Sequence, residues 1–149
     1  MAQLRPGALD RAMEPYREYG PLFIRLIVGY RLVWGTADNV FSYPRMLEFS
    51  HFLDGLGVPG PLLAAFVSAY AQFICGLLLV VGAYTRLAAA IMIINFIVAL
   101  LLAHVGKPFL DNYDALVMLF GSAFLLLHGA GWASIDERGD GPEARRPVQ

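Results

Sequence analysis

The side chains best able to do chemistry in this chain are set inside apolar runs. LFIRLIVGYRLVWGTADN, residues 22–39, carries Arg25, Arg31 and Asp38 among Leu, Ile, Val, Tyr and Trp. A guanidinium presents five donors in a planar fork, and a carboxylate presents acceptors and a site for a proton. Farther along, Ser68, Gln72 and Gly76 recur at four-residue spacing, as do Asn95, Ala99 and Ala103, while Asp114, Gly121 and His128 recur every seven. On helices, these spacings place each set on one face. Polar groups so placed can hold a small polar ligand, carry a proton, or fasten helices to one another beside small residues that allow close approach.

Other chemistries are poorly served. The single cysteine, Cys75, allows neither an internal disulfide nor a CxxC pair, and in its apolar run the thiol stays protonated and inert. His51, His104 and His128 show no tight metal-ligand spacing, so no metal site is expected, although His51 and His104 could meet Asp111 or Asp114 on one side. There is no nucleophile elbow, phosphate-binding loop or zinc-protease motif. No side chain can carry electrons by itself.

The elements that position these residues follow from composition. Of 149 residues, 58% are hydrophobic and only 15% charged, against roughly a quarter charged in soluble domains. The net charge of -1 leaves no basic stripe for nucleic acid. Residues 55–85, 87–106 and 115–135 contain no Asp, Glu, Lys or Arg, and a bilayer is crossed by about 20 apolar residues. The expected fold is therefore all-α, an integral membrane four-helix bundle in residues 21–135 with spans at about 21–40, 61–84, 87–106 and 112–131. Residues 1–20 form a cytoplasmic segment. Mixed charges before the first span, and no small-residue cleavage site after it, speak against a signal peptide. The tail 136–149, polar and rich in Gly and Pro, is expected to be disordered.

Four spans put Arg5, Arg11, Arg17, Arg86, Arg138, Arg145 and Arg146 on one side and leave Arg45 and Lys107 on the other. By the positive-inside rule both termini are cytoplasmic. Arg25 then lies near the cytoplasmic face, where it could snorkel to the interface. Arg31, Gln72 and Asn95 reach similar mid-depth from three helices, and Asp38 and Asp114 lie at the outer face. A mid-bilayer charge costs at least about 2.5 kcal/mol, so Arg31 is expected to point inward, bonded to these amides and a carboxylate. Arg31 and Asp38 share a face about 10 Å apart and could bracket a cavity opening outward. The rival reading is purely structural: a register-fixing ion pair, interhelical amides and a solvated rim. Between the first two spans, MLEFSHFLDGLG either lies on the membrane surface or caps the bundle as a re-entrant lid.

Three stretches resemble the DoxX family of small bacterial membrane proteins. LGVPGPLLAAFVSAYAQFICGLLLVVGAYTRLAA resembles its central motif, FIRLIVGYRLVWG its first helix, and GAGWASIDE its close. The resemblance covers about 22–136. Two positions depart from it: Gln72 stands where a Glu is common, and Asp38 near a common Lys. The resemblance implies a four-helix bundle in the bacterial inner (cytoplasmic) membrane and association with redox partners, such as quinone-linked sulfur oxidation or oxidative-stress complexes. It implies an accessory subunit or anchor more than a self-sufficient catalyst. On that basis no covalently bound cofactor is expected, and a quinone is the candidate occupant. Its carbonyl would accept from Arg31 or Gln72, its ring would lie on Trp34 or Tyr70, and Asp38 and Asn95 would complete the polar lining. The expected partners are the lipid bilayer, other membrane or membrane-associated redox proteins, and a second copy in a homo-oligomer. The alternative is a non-catalytic structural or assembly subunit of a larger membrane complex. A small transporter ranks last, since four helices leave little room for a polar path.

Overall fold

The computed structural model describes residues 7–103 and 105–139, whose regular elements are all helices with no strand among them. A short helix α1 (Ala8–Met13) and a 3-10 stretch (Glu14–Tyr19) lead into α2 (Gly20–Phe41). Ser42, in extended conformation, breaks the chain before α3 (Tyr43–Gly55). Then come α4 (Pro61–Val81), α5 (Thr85–Ala103), α6 (Phe109–His128) and the short α7 (Ile135–Gly139). Proline in the first turn starts α2, α3 and α4, where its missing N–H would have no intrahelical partner.

Three of the helices, α4, α5 and α6, are long and apolar enough to cross a membrane, with mean hydropathy 2.1, 2.4 and 1.4. At 22 residues α2 is as long, but it carries Arg25, Arg31 and Asp38. The bundle is greasy outside and small within. Phe23, Trp34, Leu63, Leu101, Phe120 and Leu127 are 66–80% exposed, while Ala65, Ala69, Ala88 and Ala89 are fully buried. An exterior of that kind has lipid as its solvent, and small interior residues let helices close on one another without a hydrophobic drive.

The closest pairs are α2 with α4 and α5 with α6. At the α2–α4 crossing a Cβ on Gly29 would stand 2.8 Å from the Gly76 carbonyl oxygen, and one on Gly76 would stand 2.9 Å from that of Gly29. Gly121 of α6 receives Val28 in the same way. The end of the bundle that holds the α4–α5 turn is here the Gly82 end, and the opposite one, where α3 packs, the α3 end.

The helix ends differ from the expected ones for local reasons. Gly82, at φ 70°, stops α4 short of residue 84, and the Ala83 amide folds back to the Leu78 carbonyl. Helix α5 starts at Thr85 because the Asp136 carboxylate accepts from the Tyr84 and Thr85 amides, at 2.6 and 2.8 Å. Asp136 was expected in a disordered tail. Instead it fixes the start of a helix 51 residues earlier in the chain, because a carboxylate suits the unpaired amides of a helix N-terminus. Residues 1–6 and 140–149, the remainder of the two expected terminal segments, lie outside the described residues.

Candidate functional site

Toward the α3 end, residues of α2 to α6 line an open cavity of about 520 Å³. Its deep wall is a polar string from two helices. Gln72 Nε2 donates to Ser68 Oγ at 3.1 Å, and Ser68 Oγ donates to Asn95 Oδ1 at 2.9 Å. Ser68 and Gln72 share a face of α4 at i, i+4, and Asn95 meets them from α5. Among the described residues the string leaves the Asn95 Nδ2 donors and Gln72 Oε1 for something else. Gln72 lies about 16 Å along α4 from its start at Pro61, and Asn95 about 12 Å from the end of α5 at Ala103.

Arg31 is brought to the same cavity, but not as a hidden mid-depth charge. Its side chain is 46% exposed and runs over Gly35, where a Cβ would collide with the guanidinium. Nη2 thereby reaches Asp114 Oδ2 on α6 at 2.9 Å. The missing Cβ at Gly35 lets the guanidinium climb toward the α3 end and leave the apolar interior. Lys107, Asp111 and Asp114 form the mouth, two of the gathered residues expected there besides Asp114. His104, expected beside them, lies outside the described residues.

Three expected site residues stand elsewhere. Asp38 is exposed and off the cavity, so it does not bracket the cavity with Arg31, whose carboxylate partner is Asp114. The carboxylate within reach of Arg31 comes from α6. Asp38 instead acts on α3: the Arg45 guanidinium is held above its ordinary value first by its hydrogen bond to Glu48, then by the charges of Glu48 and Asp38. Trp34 is 70% exposed and stacks on Tyr30, and Tyr70 is 40% exposed and stacks on Phe66. Both aromatics are on outward faces, so neither can receive a ring inside the cavity. The aromatic walls are Phe49 and Phe52 of α3 and Phe96 of α5, which the sequence reading left out.

Helix α3 settles onto the bundle. Met46 is buried against Ala65 and Ala69 of α4, with Phe49 and Leu53 beside it, and Phe49, Phe52 and Leu53 roof the cavity. Helix α3 thus packs on the bundle, as the capping arrangement expects. Its apolar spacing, Met46, Phe49 and Leu53 at i, i+3 and i+7, supplied the one signal that could have named these walls.

At the Gly82 end a second constellation ties distant segments together. Arg25 does not snorkel; it is 1% exposed. Its Nη1 donates to the Ala130 carbonyl at 2.8 Å and its Nη2 to the Ala133 carbonyl at 3.1 Å. A Cβ on Gly82 would lie 2.5 Å from Nη1, so the turn closes directly over the guanidinium. The Trp132 amide donates to the Glu18 carbonyl, and the Trp132 ring lies 4.9 Å from Tyr19. The two non-glycine residues at positive φ, Tyr84 and Ala133, both belong to this clasp, which holds them in a conformation rarely adopted outside such constraint. Replacing Asp136 with asparagine is expected to lower stability by about 1 kcal/mol, since the charged half of the cap is lost. Thermal unfolding of the detergent-solubilised protein checks this, and an unchanged midpoint would contradict it. No group of three or more potential metal ligands occurs among the described residues.

Apolar helices, a lipid-facing exterior and buried small residues define a multi-pass α-helical membrane protein. The DoxX family profile matches residues 20–105, and the chain belongs to the DoxX family. It is 31% identical to inner membrane protein YphA of Escherichia coli, over 83% of this chain and 96% of that one. It is likewise 31% identical to a protein of Haemophilus influenzae, over 85% and 95%. An uncharacterized membrane protein of Mycobacterium tuberculosis is 29% identical over 77% and 78%. No solved structure matches the chain significantly. Its place is the bacterial inner membrane, with the lipid bilayer around it.

Proposed function

We propose that the chain crosses the inner membrane four times with both termini in the cytoplasm, and serves as the membrane subunit or anchor of a redox complex whose cavity takes a quinone. For the fourth crossing, α2 has its charges managed: Arg25 by carbonyls, Arg31 by Asp114, and Asp38 by its place one turn from the helix end. The distribution of Lys and Arg supports an inward-facing Gly82 end. The observation that carries the ligand reading is the Gln72–Ser68–Asn95 string, set deep in a cavity with aromatic and aliphatic walls. A volume of about 520 Å³ is of the size that small-molecule sites use.

The residues present fit a quinone head. Asn95 Nδ2 and the Arg31 guanidinium are donors for the quinone carbonyl oxygens, Gln72 Oε1 is an acceptor for a hydroxyl of the reduced quinol, and Phe49 and Phe96 are flat apolar walls. A quinone, when bound, would supply the electron and proton uptake that these side chains lack. The residues of this chain would bind it, orient it and keep water from its ring, while electrons come from a cofactor-bearing partner. Titrating a short-chain quinone onto the purified protein tests the reading. Arg31→Leu is expected to weaken binding about tenfold, as befits loss of a charge-assisted hydrogen bond. Equal binding by wild type and variant would remove Arg31 from the site. Absence of binding to wild type, with a larger complex co-purifying, would favour a purely structural subunit.

A further inference from the structure

We infer that the occupant of the cavity is an amphiphile with an uncharged, hydrogen-bonding head, and that it enters sideways from the outer leaflet through a slot between α3 and α5. The inference rests on the ligand reading above and adds the route and the charge of the head.

The slot has two apolar banks. Phe52 of α3 is one, and Val98 and Leu102 of α5 are the other. All three line the cavity, yet they remain 49%, 47% and 43% exposed. A residue that faces both a cavity and the exterior marks an opening between them. In a bundle whose exterior is lipid, this opening gives onto acyl chains. Helix α3 leaves the gap because it packs on α4 and α2. Val98 and Leu102 lie about 8 Å and 2 Å from the end of α5, which places the slot in the leaflet at the α3 end.

The charge of the head follows from depth. The ionisable groups of the cavity, Arg31, Lys107, Asp111 and Asp114, balance two against two, and Asp114 already pairs with Arg31. Farther in, the polar atoms belong only to two amides and a hydroxyl. They offer donors at Asn95 and an acceptor at Gln72, and no net charge to neutralise. A charged head would lose its hydration there without a countercharge. A neutral head with a carbonyl acceptor for Asn95 Nδ2, which gains a hydroxyl for Gln72 Oε1 on reduction to the quinol, matches what the string offers, and its tail would rest in the slot.

The test uses the full chain in lipid nanodiscs with two probes, a benzoquinone bearing a decyl tail with a diazirine in it, and the same ring without the tail. The diazirine is expected to label α3 around Phe52 and α5 around Val98 and Leu102 in the wild-type protein, which needs no variant to fold. Val98→Trp, which narrows the slot from its lipid side, is expected to slow association of the tailed probe about tenfold and to slow the tail-less ring much less, because Val98 also lines the cavity. Equal effects on both probes, or no effect on either, would overturn the lateral route while leaving the cavity as a binding site. Labelling confined to the mouth at Lys107 and Asp111 would do the same. If the wild-type protein binds neither probe, the ligand reading itself fails, and the route with it.

Discussion

Replacing Arg25 with methionine should be among the most damaging single changes in this protein. Methionine matches the length of the aliphatic stem and fills most of the space, so the loss is mainly polar. Two carbonyls, of Ala130 and Ala133, would be left without donors beneath Gly82. Hydrogen bonds to charged groups contribute about 1.5–3 kcal/mol each. Part of that is returned because a buried cation is removed with them. A net loss of about 2–4 kcal/mol is expected, read as a lowered unfolding midpoint in mild detergent. Lysine should recover little, because a single ammonium cannot reproduce the fork that spans both carbonyls. A midpoint equal to wild type for Arg25→Met would mean that the clasp adds nothing to stability.

Gly29→Val is expected to be comparably severe, by the opposite route of crowding. A Cβ at this position meets the Gly76 oxygen at 2.8 Å, Val80 Cγ2 at 2.8 Å and the Val80 nitrogen at 3.0 Å. Two of these three atoms are backbone, which cannot rotate away. The helices must separate, and each small residue along the α2–α4 seam then loses contact. Overpacking costs about 1–3 kcal/mol in cores that can adjust, and this crossing has little to adjust with. Gly29→Ala should show a smaller loss of the same kind. Because the crossing lies just below the polar string, the valine variant should also lose quinone binding. A valine variant that melts like wild type would show that α2 and α4 tolerate a wider spacing.

Much of this could be read from residue order, and the reason is the bilayer. Three charge-free runs imposed α4, α5 and α6 before any contact was known, because a backbone in lipid must satisfy itself helically. Gln72, Asn95 and Arg31 were legible as cavity residues because a polar side chain in an apolar run has to face a partner. What failed to show was distance across the fold. Asp38 and Asp114 are both carboxylates near the same end, and only the packing of α6 beside α2 decides which one meets Arg31. Trp34 and Tyr70 looked suited to a flat ring, but an aromatic on a lipid-facing surface is equally at home. Asp136 read as tail because its partners, two amides at the start of α5, carry no side-chain signature at all.

The Arg25 clasp also sets a timetable for biogenesis. Its acceptors lie 105 and 108 residues downstream, and the amides at Tyr84 and Thr85 wait for Asp136. While the ribosome is still delivering α4, α5 and α6 to the translocon, α2 holds a guanidinium with no acceptor from the closing segment. The nascent bundle is therefore locked by almost the last of its described residues to be translated, and an arrested or clipped chain would carry an unquenched charge into the lipid.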